Sequence, residues 1–379
     1  MKKTIAVLEG DGIGPEIMAE TIKVLNTIQN KYGHEFEFIF GDFGGMGYDK
    51  QGSPFPESTK EICDTSDTIL KGPIGSPKYD SIPDLNLRPE RGGVLALRKR
   101  YNTFANLRPV RLPKELLSFS PLKQSVLGKE IDLMIVRELI GGIYFGKKEQ
   151  GQKENGERFA LDTMEYTETQ VKQIARIAFQ EARKQKTVLH NIHKSNVLEC
   201  SIFWNEIVNE IQEKEFPDVQ VGHMLVDNVA FQLVVNPSQF KVMLMENMMG
   251  DILSDQCGGI LGSLGLMPSA CIGPKKAYYE PAHGSAPAIA GKNIANPYSM
   301  IGSAALMLEY SFGLKTEAEE IWNALFQIMH AGYQTPDLIH NSNEKQKQIS
   351  TNEFGTMIQK TIEEKKETQN KEMEYRVLL

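Results

Sequence analysis

The chain has 379 residues, 41% hydrophobic and 24% charged, with a formal net charge of −7. That composition suits a globular protein long enough for two domains and excludes collagen-like or low-hydrophobicity disordered chains. The acidic balance argues against general binding to nucleic acid or to acidic membrane surfaces, and no apolar run approaches the length of a membrane span.

The first predicted element is the strand "KTIAVL", which leads into a corner with Gly10, Gly12 and Gly14 and a helix from Pro15 to about Asn30, closed near Gly33. A dinucleotide fingerprint needs glycine at its first, third and sixth positions, so that a helix end meets the pyrophosphate. Here the sixth position is Pro15, which starts a helix well but fails the fingerprint. The corner therefore reads as structural, and any cofactor must be held elsewhere. "DTIL" then runs into a loop over 71–90. "DLMIVREL", "TVLHNI", "VQVGHMLV" and "FKVMLM" alternate with helical segments near 167–184, 197–213 and 247–257. This rhythm predicts an α/β protein with a largely parallel or mixed sheet. Residues 147–166 are polar and glycine-punctuated, and predict a protruding hairpin arm. The Lys/Glu/Gln-rich stretch 363–379 reads as a solvated helix or frayed tail. Four cysteines (63, 200, 257 and 271) fall at no metal-like or redox-like spacing, as expected of thiols in a reducing, cytoplasmic setting.

Three phrases each hold an arginine: "LALRK" (Arg98), "FANLRPV" (Arg108) and "MIVREL" (Arg137). Singly, each suits a surface salt bridge. Converging, their guanidinium forks would suit a small polyanionic acid. "GDILSD" puts Asp251 and Asp255 four apart, on one helix face. Such a pair is either a solvated face or, if a cation sits between, an oxygen-only site for Mg²⁺ or Mn²⁺; Asp227 in "LVDN" is a candidate third ligand. "HNIH" (His190, His193) lacks a third nitrogen or sulfur partner and reads as structural. The small-residue run "EPAHGSAPAIAGKNIANP" (280–297) either links elements or lets backbone approach a ligand closely.

Taken together, "GDGIGPE", "LRPERGGVLALRK", "FANLRPV", "VREL-GGIYFG", "HKSNVLE", "GDILSD", "GSLGLMPSA" and "HGSAPAIAGKNIANP" resemble the motifs of the 3-isopropylmalate dehydrogenases. These are a branch of the metal-dependent β-decarboxylating dehydrogenases, and the likeness runs over roughly 4–360. It implies the isopropylmalate/isocitrate dehydrogenase-like fold, two α/β domains sharing a mixed sheet, and not a standard Rossmann fold. One domain would use 1–103 and 262–379; the other would be 104–261, with the arm clasping a second copy in a homodimer. The resemblance makes Arg98, Arg108 and Arg137 the substrate-carboxylate clamps, and Tyr144 with the partner's Lys194 the proton-transfer pair. Asp251 and Asp255, with Asp227 of the partner subunit, would ligate Mg²⁺ or Mn²⁺, Asp227 also touching substrate. Glu280, His283, Gly284, Ser285, Ala286, Pro287, Ala288, Ile289 and Asn296 would line the adenosine end of an NAD site, with Ser76 and Glu90 towards the nicotinamide.

Val94 and Leu95, wholly apolar in "GGVLAL", would face the variable group of the acid and favour an alkyl chain over a further carboxylate, whose desolvation is costly. The expected reaction is NAD-dependent oxidative decarboxylation of 3-isopropylmalate in leucine biosynthesis. Relatives acting on D-malate, methylmalate or homoisocitrate are the alternative, and a non-catalytic binding protein a third. Ala288 departs from the family, which usually has an aspartate there in its NAD-using members and often a lysine in NADP-using ones. Val94 is smaller than the usual leucine.

Overall fold

The computed structural model describes residues 1–338 and 346–377, the side chains of 365–377 excepted. In chain order the main strands are β1 (Lys2–Leu8), β2 (Glu35–Phe40), β3 (Thr68–Lys71), β4 (Ala105–Leu112), β5 (Ile131–Glu138), β6 (Lys148–Gln152), β7 (Arg158–Asp162), β8 (Leu189–His193), β9 (Val221–Leu225), β10 (Val242–Met245), β11 (Pro268–Ile272) and β12 (Ala277–Pro281). Ten of them form a mixed sheet in the order β2-β1-β3-β12-β11-β4-β5-β10-β8-β9.

The chain divides into two compact units: Met1–Tyr101 with Gly262–Ala270 and Lys275–Leu379, and Asn102–Leu261 with Cys271–Pro274. In the first, β1 runs parallel to β2 and β3, and β12 parallel to β3. The helix Gly14–Tyr32 buries Ile17, Met18, Val24, Leu25 and Ile28 along one stripe and stops at Gly33, whose φ of 69° is the left-handed C-cap. No helix among the described residues is long and apolar enough to cross a membrane.

The glycine corner is held by its own aspartate. Asp11, buried, accepts the backbone N–H of Gly45 at 2.8 Å, Met46 at 2.9 Å and Gly75 at 2.8 Å. Gly10 and Gly12 have φ of 74° and 59°, and a Cβ on Gly12 would stand 2.0 Å from the carbonyl oxygen of Ser285. Glycine is required by both conformation and space, and the corner is a joint between loops.

In the second unit β4 pairs antiparallel with β5, and β5, β10, β8 and β9 continue in parallel. Helix Glu168–Gln185 opens with a capping box between Thr167 and Gln170, a device worth about 1 kcal/mol. β6 and β7 form a separate antiparallel hairpin whose side chains are nearly all exposed. The loop over 71–90 is more ordered than its composition suggests. Ser76 and Asp84 cap short 3₁₀ turns at Pro77–Tyr79 and Leu85–Leu87, and a π-helical turn follows over Pro89–Leu95.

Candidate active site

In the second unit, Arg137 lies on β5 with its side chain 1% exposed. Its Nε donates to the Asn247 carbonyl at 2.8 Å, Nη2 to Asn247 Oδ1 at 2.9 Å and Nη1 to Asp251 Oδ1 at 2.6 Å. Beside it on β4, buried Arg108 donates to Asn106 Oδ1 at 2.7 Å and Ser254 Oγ at 2.5 Å. Its guanidinium also stands 3.8 Å from Asp251 and 3.6 Å from Asp255. Both carboxylates project from the helix Asn247–Leu261, one turn apart.

The turn that presents Tyr144 is built by a buried acid. Glu138, ending β5, accepts the N–H of Ile140 at 2.8 Å and of Gly141 at 2.9 Å. Burial pushes its carboxyl up to about 7, although those two donors pull it down. The chain then folds over Gly142–Tyr144, and Tyr144 Oη donates to Asp251 Oδ2 at 2.9 Å. Burial first, then the Asp251 charge, push the Tyr144 phenol up to about 12. Tyr144 is therefore a neutral proton donor at any ordinary pH, and Asp251 is gripped by a guanidinium on one oxygen and a phenol on the other.

Lys194 and Asp227 form a second, separate group. Lys194 Nζ donates to Asp227 Oδ1 at 2.6 Å, which holds the Asp227 carboxyl below its ordinary range. Asp227 sits in the first turn of the helix Val226–Val235. Among the described residues no three of His, Cys, Asp and Glu are grouped to hold a metal ion. One chain thus gathers Arg108, Arg137, Tyr144, Asp251 and Asp255, and it pairs Lys194 with Asp227, but it does not bring the three aspartates together. Partial burial pushes the Asp255 carboxyl up against the pull of Arg108, a desolvated oxygen that a divalent cation would relieve. The oxygen-only donors of Asp251 and Asp255 fit Mg²⁺ or Mn²⁺, which one or two carboxylates commonly hold together with other oxygens. Exposed apolar side chains flank both groups: Val197 is 69% exposed, Phe231 61% and Ile252 62%.

Arg98 is in the first unit, in the last turn of the short helix Ala96–Tyr101. It is buried, its Nε donating to Tyr278 Oη at 3.1 Å. The three arginines are therefore divided, one in the first unit and two in the second. Val94 and Leu95 are half-buried on the π-helical turn just before it.

Also in the first unit, a cavity of about 550 Å³ is lined by Ile13, Leu264, Ala286, Ile289, Ile294, Ala295 and Pro336, with Ser263, Gly265, His283, Gly284, Asn296 and Asp337 as its further lining. His283 Nδ1 lies 2.8 Å from the Gly284 carbonyl oxygen, so it carries the proton and donates. That leaves Nε2 as a lone-pair acceptor, buried without a partner among the described residues. An unmet acceptor in an apolar slot fits the exocyclic amine of a flat heterocycle such as adenine. Asp337 accepts Asn296 Nδ2 at 3.1 Å and Thr335 Oγ1 at 2.5 Å, and also the Ser263 hydroxyl.

Of the expected cofactor residues, His283, Gly284, Ala286, Ile289 and Asn296 line this cavity, and the others do not. Buried Ser285 ties its hydroxyl to the Gly75 carbonyl and its own carbonyl to Ile13 N–H. Glu280 is occupied by Lys71. Ser76 caps a turn and Glu90 packs on Gly75. Pro287 and Ala288 are exposed on the 3₁₀ turn between the lining residues Ala286 and Ile289. Sequence reasoning missed Asp337, Leu264 and Ile13; the phrase "GSLGLMPSA" held Leu264, whereas nothing local marked Asp337.

Comparison with known proteins agrees across nearly the whole chain. The model of the family described as isocitrate/isopropylmalate dehydrogenase matches residues 4–358. A 3-isopropylmalate dehydrogenase of Thermotoga maritima is 47% identical over 95% of this chain and 99% of its own. One from Bacillus licheniformis is 48% identical over 93% and 95%. Among solved structures, isocitrate dehydrogenase from Methylococcus capsulatus is 31% identical, with a TM-score of 0.82 over 95% of this chain and 99% of that one. A β-decarboxylating dehydrogenase from Thermococcus kodakarensis is 32% identical, with a TM-score of 0.75 over 96% of each. With its fold, its motifs and these relatives in agreement, the chain belongs to the isocitrate/isopropylmalate dehydrogenase family.

Proposed function

We propose that this enzyme carries out the NAD-dependent oxidative decarboxylation of 3-isopropylmalate to 4-methyl-2-oxopentanoate and CO₂, a step of leucine biosynthesis, as a cytoplasmic homodimer. The observation that carries this reading is Asp251 bound at once by Arg137 and Tyr144, with Asp255 one turn further on. The relatives named for 3-isopropylmalate and the apolar pair Val94 and Leu95 support the choice of acid. Burying an isopropyl group against that pair contributes roughly 2 kcal/mol.

Arg98, Arg108 and Arg137 bind the carboxylates. When bound, a divalent cation supplies Lewis acidity at the hydroxyl oxygen and NAD⁺ accepts the hydride. Lys194, in its amine form, takes up the hydroxyl proton. Tyr144, kept protonated, delivers a proton to the carbon that loses CO₂. Lys194 and Asp227 act at the site of a second copy, whose docking covers Val197, Phe231 and Ile252, the exposed apolar residues flanking both groups.

A rate panel with NAD⁺ and Mn²⁺ tests the acid: 3-isopropylmalate is expected to be turned over fastest, and isocitrate winning would overturn the assignment. The adenosine end is tested by Ala288→Asp. A carboxylate at the rim of the cavity would accept ribose hydroxyls, so NAD⁺ should bind about tenfold more tightly and NADP⁺ more weakly. Unchanged affinities for both nucleotides would remove position 288 from the ribose end.

A further inference from the structure

The first unit contains a lysine that the mechanism leaves without a task. Lys71 ends β3 and is 1% exposed. Its Nζ lies 2.5 Å from Glu280 Oε2 and donates to the Gly72 carbonyl at 2.9 Å. Leu70 pairs with Tyr279 across the β3/β12 ladder, so Lys71 and Glu280 follow as the next neighbours. Tyr278 and Glu280, two apart on β12, share one face, and Arg98 meets both: Tyr278 Oη at 3.1 Å and Glu280 Oε1 at 3.9 Å. Arg98, Lys71 and Glu280 are all nine-tenths buried, so their charges are weakly screened.

We propose that Lys71 is a positioning residue that keeps Arg98 competent to bind an acid. By holding Glu280 at ion-pair distance, it draws that carboxylate off the guanidinium, and the buried cluster keeps one net positive charge. Without Lys71, Glu280 would close on Arg98 as a neutral buried pair, and a substrate carboxylate would have to compete with it. This rests on the reading that Arg98 binds a substrate carboxylate.

Steady-state kinetics of the full-length enzyme with 3-isopropylmalate at saturating NAD⁺ test the proposal. Lys71→Met is expected to raise KM for the acid about tenfold or more, with kcat changed less than about twofold. Lys71→Met/Glu280→Gln, which removes the competing carboxylate as well, should bring KM back towards the wild-type value. A merely structural Lys71 would leave the double variant as impaired as the single one. If Lys71→Met does not fold, Lys71→Gln takes its place: a raised KM that the double variant Lys71→Gln/Glu280→Gln relieves supports the proposal, and equal KM values in the two overturn it. Arg98→Gln separates the two readings. If it leaves KM unchanged, the role of Arg98 falls; if it raises KM while Lys71→Met is silent, only the proposal about Lys71 falls.

Discussion

Lys194→Ala is expected to lower kcat by about 10²–10⁴-fold, the range that a positioned general base contributes, while the protein melts where the wild type does. The two halves of that expectation have separate causes. Lys194 Nζ meets Asp227 at 2.6 Å on the surface of its own chain, with 62% of the Asp227 side chain exposed. An exposed ion pair adds little to folding, so its loss leaves the fold intact. A chemical role as base predicts a large kinetic cost none the less. A Lys194→Ala enzyme with near-full turnover would remove the residue from the mechanism.

Asp251→Asn should be equally damaging, for a different reason. Each carboxylate oxygen of Asp251 has its own donor, Arg137 at 2.6 Å and Tyr144 at 2.9 Å. An amide has one acceptor atom, so its NH₂ must face either a guanidinium or a phenol. Arg137 keeps both of its bonds to Asn247, which limits the loss of stability to about 1–3 kcal/mol. Partners that only orient a metal ligand are worth 10–100-fold in metal affinity, so removing a ligand itself should weaken Mn²⁺ by more than about 10²-fold. Titration of the variant with Mn²⁺, followed by activity and by electron paramagnetic resonance, checks this. Wild-type Mn²⁺ affinity would show that Asp251 serves only to hold Arg137 and Tyr144.

Local features of the chain were legible wherever a residue type has one conformational use. Pro15 and Gly33 bracket a helix observed at Gly14–Tyr32. Asp251 and Asp255 do share a helix face. The glycine corner is braced by Asp11, which binds three backbone N–H groups, yet Ile13 of the same corner lines the cavity, which the failed fingerprint gave no sign of. What local pattern could not give was long-range pairing. Asp337 reaches Asn296 across 41 residues of sequence, and no periodicity links the two. Lys71 opens the stretch expected to be a loop, yet its ammonium is buried on Glu280, 209 residues on. Arg108 lies within β4 and is steered by Ser254 from a distant helix, a pairing that no local pattern marks.

The claim on which the mechanism depends is that Lys194 and Asp227 of one copy serve the Arg137, Tyr144 and Asp251 group of another. Mixing Lys194→Ala and Asp251→Asn proteins, each inactive alone, and letting the subunits exchange tests it directly. Mixed dimers would hold one site with both changes and one with neither, so activity should return to about a quarter of wild type. If the mixture stays as inactive as its parents although mass measurement shows that mixed dimers have formed, each site lies within a single chain and the shared arrangement is wrong.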